Sequence, residues 1–284
     1  MPSPALSYCG RESRAYDNDR FLTCLFAPPD RREALFTLIA FNLEIAKTRE
    51  LVREPLMGQI RLQWWRDAID GIYQGSGPPP SHEVARPLAD SILGHGLSRR
   101  HFDTLIDARE ADFDGGPPAT MADLLAYAEA TAAPLVGLGL ETLGVADGPG
   151  AEAGRLVGTA WALTGLLRAV PFHLAHRRIA LPADLLGRHG LTAGRLLDWR
   201  PDARALAPAV AEVAALARDR LAAARKLAPE VPEAALPALL LASLADLYLD
   251  TLERANHDVF TPRVQNRHPL RPLLLAWRAW RRRW

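Results

Sequence analysis

Apolar residues recur three and four positions apart along most of the chain, and strict alternation at two is almost absent. That pattern predicts helices and no sheet. Pro28 and Pro29 precede a long periodic run, RREALFTLIAFNLEIAKTREL, in which Asp30 and Glu33 have capping-box spacing. Leu35, Leu38, Ile39, Asn42, Ile45, Ala46 and Arg49 share one face of that helix and are expected to point inward. A second helix is predicted from near Pro55 to Gly75, followed by the loop GSGPPPS at 75–81. Further helices are predicted near 82–94, 98–113 and 120–144. Thr120 and Asp123 have cap spacing in the last of these, and Pro134 is expected to kink it. DGPG at 147–150 reads as a turn, and the helix over 151–170 is expected to end or bend at Pro171. Two short helices within 182–199, Ala/Leu-rich helices over 202–228 and 232–256, and a last helix from near Pro269 complete the pattern.

No fixed-period repeat is visible, and no linker is long enough to separate distinct cores. With 284 residues, 49% of them apolar, the chain can build one substantial all-α core. The formal net charge of +1 gives no global field that would select nucleic acid. Cys9 and Cys24 are the only cysteines, which fits reduced thiols and cannot supply a four-ligand zinc site without histidine. The first residues, MPSPALSYCGRESRAYDNDR, contain no apolar signal core, and no run reaches the ~20 apolar residues of a membrane span. A cytoplasmic location is expected.

Two segments carry candidate chemistry. The first is AFNLEIAKTRE at 40–50, set between RREALFTLIAF and GQIRLQWWRDAI. The second is WALTGLLRAVPFHLAHRRIALP, from Trp161 to Pro182. Both resemble the signatures of the squalene/phytoene synthase family, enzymes that join two isoprenoid diphosphates head to head. The family's first motif, roughly DDxxD, falls on Ala46, Lys47, Thr48, Arg49 and Glu50, so only Glu50 is an acid. In the second, Leu163, Thr164, Leu167, Arg168, Val170, Arg177, Arg178, Leu181 and Pro182 are in register. There Ala169, Phe172 and His173 stand at the family's aspartate, glutamate and aspartate positions, and Pro171 replaces a glycine. LLAYAEATAAPLVGLGLETLG at 124–144 and LERANHDVFTPRV near the C-terminus resemble two further family segments.

The resemblance implies a single all-α, isoprenoid synthase-like helical bundle around a central cavity. It divides the chain into an N-terminal extension (1–18), the helical domain (19–268) and a basic, Trp-rich C-terminal helix of the same domain (269–284). In that family clustered carboxylates hold divalent metal ions that neutralise the departing diphosphate. Here no catalytic residue, metal or other cofactor is expected. Mg²⁺ enters only under the alternative reading, a prenyl transferase with an atypical site. FTLIAFNLEIA, IRLQWWRDAI, LRAVPFH and RRIALP resemble a divergent branch of the family, which includes the mitochondrial complex I assembly factor 6 and its bacterial relatives. That likeness implies a non-catalytic role, with complex I subunits or other assembly factors as partners.

Asn42, Glu44, Lys47, Arg49, Glu50, Arg168, His173, Arg177 and Arg178 are the cavity candidates. They either bind an isoprenoid or lipid ligand or close on one another as an internal ion-pair network with Glu44 and Glu50, the reading favoured here. Glu44 and Glu50 lie six apart on different helix faces, and His173 with His176 lacks a completing acid, so neither pair makes a metal site. Asp107, Glu110 and Asp112 read either as a stray acidic site or, the reading favoured, as a solvated helix end. Trp65 is expected in the core, with Trp64 turned away from it. After Asp258 there is no acid but seven arginines, and Trp277, Trp280 and Trp284 share a helix face with Leu273 or Leu274. With Arg281, Arg282 and Arg283 they suit either an anionic membrane surface, at the inner face of the cytoplasmic membrane, or packing on the body.

Overall fold

The computed structural model describes residues 6–52, 54–113, 116–198 and 203–284. Residues 1–5 of the N-terminal extension, Asp114, and the helix boundaries expected at 199 and 202 lie outside these.

Helix α1 (Tyr8–Tyr16) starts where the Ser7 side chain accepts the Gly10 N–H, and α2 (Asn18–Cys24) starts where Asp17 accepts the Arg20 N–H. Helix α3 (Pro29–Ala46) begins at a proline, with Asp30 already inside its first turn. The expected Asp30–Glu33 capping box is therefore not formed, and no side chain caps this helix. Every residue from Ala34 to Asn42 is buried, so α3 is a central rod and not a one-sided surface helix. It also stops short of the expected end. The Thr48 hydroxyl donates to the Glu44 carbonyl, the chain turns at Lys47, and α4 (Thr48–Leu51) follows as a separate turn.

Helix α5 (Pro55–Gln74) ends at Gly75, whose φ of 64° no β-carbon residue adopts cheaply. Trp65 is buried, edge-on to Phe41 of α3, while Trp64 is partly exposed against His82, as expected. Helices α6 (Ala85–His95) and α7 (Arg99–Ala108) follow, and a 3₁₀ turn (Glu110–Phe113) replaces the end of the expected helix at 98–113. Helix α8 (Met121–Thr142) opens with the Thr120–Asp123 capping box and continues through Pro134. Helix α9 (Gly148–Arg168) takes the DGPG segment as its first turn, with Asp147 as the cap. Pro171 both ends that run and starts α10 (Val170–Ala175), since a proline suits a first turn.

The remainder is α11 (Ala183–Arg188), α12 (Ala193–Asp198), α13 (Ala203–Lys226), α14 (Leu236–Leu239), α15 (Leu241–Arg254), α16 (Pro262–Gln265) and α17 (Arg271–Trp280). No strand occurs among the described residues. Among the described residues one stretch, Glu233–Arg254, is long and apolar enough to cross a membrane, against the sequence expectation, but 67% of its apolar window is buried in the body. It is a core element.

Two apolar cores meet on α8. Leu135 and Leu138 face α3 and its aromatic neighbours, while Val136 and Leu140 face the Ala/Leu-rich helices α9, α13 and α15. Helices α8 and α9 approach closely because Gly158 is bare: a Cβ there would stand 2.8 Å from the Ala133 Cα. The N-terminal segment is tied in, with Cys9, Gly10 and Ser13 of α1 buried and the Ser13 hydroxyl bonded to the Phe36 carbonyl at 3.0 Å. The root of α17 is tied in more firmly. Asp19 takes the Arg271 guanidinium and the Tyr248 hydroxyl, joining α2, α15 and α17 by a buried charge pair.

Candidate functional site

Inside this frame lies a cavity of about 530 Å³, within the usual range for small-molecule sites. Its walls come from α2, α3, α4, the 3₁₀ turn before α8, and α8, α9 and α10. One side is apolar, with Leu124, Ala132, Trp161, Ala162, Leu166 and Ile179. A small apolar cavity of about 40 Å³ lies beyond Arg20, which lines both spaces.

The two candidate motif segments do converge. Asn42, Ala46 and Glu50 reach the cavity from α3 and α4, and Ala169, His173 and Arg178 reach it from α9, α10 and the segment beyond. The other candidates point elsewhere. Glu44 pairs with Arg61 at 2.5 Å, and Lys47 lies 3.8 Å from Glu12 and over the Tyr16 ring. Arg49 leans toward the Phe113 ring. Arg168 stacks 3.7 Å above the Tyr248 ring and donates to the Val264 carbonyl, so its place in the motif is explained by joining α9 to the C-terminal region. Arg177 takes a left-handed turn at φ 54°, and Phe172 is exposed beside His176. Neither lines the cavity.

The acid that organises the cavity is Asp112, which the spacing had placed at a solvated helix end. Asp107 and Glu110 are indeed at the surface, both holding Arg66. Asp112 turns inward and is nearly buried. Its Oδ1 accepts the Tyr127 hydroxyl at 2.6 Å and lies 3.5 Å from Arg178, while its Oδ2 is 3.6 Å from Arg109. The internal network expected on Glu44 and Glu50 is therefore built on Asp112, and it leaves the space open. Burial and the neighbouring Asp112 carboxylate push the Tyr127 phenol up to about 12, so it stays a donor. Burial and then the Arg178 cation hold His173 down to about 4, so its imidazole is neutral near pH 7. Four polar atoms on or beside this wall have no partner: Asn42 Oδ1, Arg20 Nε, Arg109 Nε and His173 Nδ1.

The donor set does not fit a cluster of divalent cations. Asp112 is engaged by an arginine pair and a phenol, and Asp123 is spent capping α8 through the Thr120 amide and hydroxyl. Glu50 is exposed and alone on its turn. Among the described residues no three His, Cys, Asp or Glu gather to hold a metal ion. The lining arginines Arg20, Arg109 and Arg178 are matched by Glu50, Asp112 and Asp123, so the cavity is close to neutral.

The sequence profile of the squalene/phytoene synthase family matches residues 13–272. The chain belongs to this family. Among squalene/phytoene synthase relatives, the NADH dehydrogenase (ubiquinone) complex I assembly factor 6 of Bos taurus is 34% identical over 98% of this chain and 82% of its own length. The Homo sapiens protein of the same description is 31% identical over 97% and 82%. A presqualene diphosphate synthase of Rhodopseudomonas palustris is 30% identical over 58% of each chain. Among solved structures, a squalene synthase from Alicyclobacillus acidocaldarius superposes with a TM-score of 0.76 at 21% identity, covering 88% of this chain and 93% of that one. A dehydrosqualene synthase in complex with ligand gives 0.79 at 18% identity, covering 95% and 93%. These two likenesses establish the isoprenoid synthase-like all-α fold that the motifs implied.

Arg20, Arg109, Asp112, Tyr127, Asp123 and Trp161 were not among the candidates. The signal for Asp112 was present, an acid after an apolar helical turn and three residues from Arg109, but its partner Arg178 comes from a distant segment.

The C-terminal candidates separate into two groups. Leu273, Trp277 and Trp280 form an outward face of α17, exposed by 68%, 51% and 77%. Trp284 does not share that face. The helix ends at Trp280, Arg282 turns at φ 50°, and Trp284 packs back on the core.

Proposed function

We propose that this chain has lost both acid-rich motifs of its family, does not ionise isoprenoid diphosphates, and acts in the assembly of respiratory complex I. The single observation that carries the loss of catalysis is the donor set of the cavity. Ala46 and Ala169 present methyl groups where the reaction needs metal ligands, and the best-placed acid, Asp112, is already neutralised by arginines. Metal-assisted charge stabilisation contributes several kcal/mol to such a transition state, and ~1.4 kcal/mol is a factor of ten in rate. The assembly role rests on the similarity to the complex I assembly factors along nearly the whole chain. Its partners would be complex I subunits or other assembly factors, met at the inner face of the respiratory membrane, where the outward Trp face of α17 supports peripheral attachment.

Purified protein with Mg²⁺ and farnesyl or geranylgeranyl diphosphate should release diphosphate only at background. Release above background would restore the alternative, a head-to-head prenyl transferase. Deletion in the host should lower NADH:ubiquinone oxidoreductase activity, and unchanged activity would end the assembly reading. The open cavity supports a second reading, a bound isoprenoid or lipid. Native mass spectrometry of the purified protein should then find one amphiphile per chain.

A further inference from the structure

Beside the outward face of α17 lies a pocket of about 460 Å³, between the end of that helix and the turn at 228–236. Four arginines line it, Arg225, Arg278, Arg282 and Arg283, against one acid, Glu233. Two of the four are taken. Arg225 holds Asp246 at 2.5 Å and donates to the Trp284 main-chain oxygen, and Arg282 holds Glu233 at 3.0 Å. Among the described residues Arg278 and Arg283 have no acid partner, and the Arg278 Nε is buried with no hydrogen bond at all. A guanidinium left in this state favours an anion with several acceptor oxygens. The walls between the arginines are apolar: Val231, Pro232, Leu236 and Trp284.

We propose that this pocket holds the phosphate of an anionic membrane lipid while Leu273, Trp277 and Trp280 enter the bilayer interface. It rests on the peripheral attachment inferred above and adds the lipid class and the residues that read it. The occupant is argued from charge and from exposure on one helix. Beyond Asp258 the chain holds no acidic side chain, so no Asp or Glu on this segment repels an anionic surface. Three large apolar side chains stand outward within two turns of Arg278. Another outward apolar face, Leu56, Met57, Ile60 and Trp64 on α5, is flanked by the acids Glu54 and Asp67.

The test is co-sedimentation of the full chain with two vesicle types, pure phosphatidylcholine and an equimolar mixture with phosphatidylglycerol. The wild type should partition to the mixed vesicles at least roughly tenfold more strongly, and less so at high salt. The Arg278→Gln/Arg283→Gln double variant should lose on the order of tenfold on mixed vesicles with an unchanged thermal midpoint. A control pair outside the pocket, Arg263→Gln/Arg281→Gln, removes the same charge and should lose much less. Equal losses for the two pairs would overturn the pocket in favour of diffuse charge. Equal wild-type binding to both vesicles, or none, would overturn the proposal outright. The complex I activity of the deletion strain is scored separately, so a failed lipid site and a failed assembly role give different results.

Discussion

The central cavity and the C-terminal pocket are built from the same materials, arginines against apolar walls, and differ in how the charge is closed. In the cavity Arg109 and Arg178 share Asp112, and the lining acids match the lining arginines. At the C-terminus Arg278 and Arg283 have no acid within the described residues. A buried cation must be paired or it costs several kcal/mol, whereas one at the rim can wait for a partner from outside. The first region is therefore suited to a neutral guest and the second to an anionic one. Their settings differ as well: α3, α8 and α9 border the cavity, while the helix beside the pocket, α17, leaves its Trp side open to solvent.

The largest way to break this contrast is at the buried pair that roots α17. Asp19→Ala leaves Arg271 and the Tyr248 hydroxyl without their partner, and should lower stability by about 3–5 kcal/mol in urea unfolding. A loss under about 1 kcal/mol would mean that water replaces the carboxylate.

Asp112→Ala tests the cavity itself. Its ion pairs are long, 3.5 and 3.6 Å, so the cost should be smaller, about 1–3 kcal/mol. The same change leaves Arg109 and Arg178 in excess, so the cavity should gain affinity for an anion such as diphosphate. Calorimetry that finds no such gain would separate the arginines from the guest's recognition.

His173 offers a pH reading of the same wall. Its folded value of about 4 lies below the ordinary histidine value, so the unfolded chain binds the proton first. Stability should fall as pH drops from about 6.5 toward 4 and level off below, by about 1–2 kcal/mol after allowance for its partial exposure. His173→Gln should flatten that limb of a stability-against-pH curve. An unchanged limb would assign it to the carboxylates.

The smallest effect belongs to the exposed Arg282–Glu233 pair, at 72% and 61% side-chain exposure. Arg282→Ala should change the thermal midpoint by no more than about 0.5 kcal/mol equivalent. A larger loss would show that the tip of α17 is held more firmly than its exposure implies.

Much of the frame was legible in the chain. Helical periodicity located nearly every long helix, because apolar spacing reports the face that must be covered. The Thr120–Asp123 cap was legible for the same local reason. What failed was what depends on neighbours in space. The α3 helix is buried all round, so periodicity could not choose its inward side, and its break at Lys47 turns Lys47 and Arg49 out of the cavity. The motif register found Ala46, Glu50, Ala169, His173 and Arg178, since resemblance carries backbone position. It could not find the role of Asp112, because the arginine opposite it arrives only when the segment after α10 packs against the 3₁₀ turn. Arg168 persisted in the motif frame for a reason the spacing does not contain, its stack on Tyr248.

One consequence of the Asp19–Arg271 pair is mechanical. Asp19 and Arg20 are consecutive residues of α2: the first clamps the root of α17, and the second stands in the wall of both cavities. The C-terminal helix is thus fixed at its root by a buried charge pair and held at its far end only by the exposed Arg282–Glu233 pair, the Arg225–Trp284 bond and the packing of Trp284. The strong anchor of that helix therefore sits next in sequence to a residue of the cavity wall, so the two regions share one short helix as their common support.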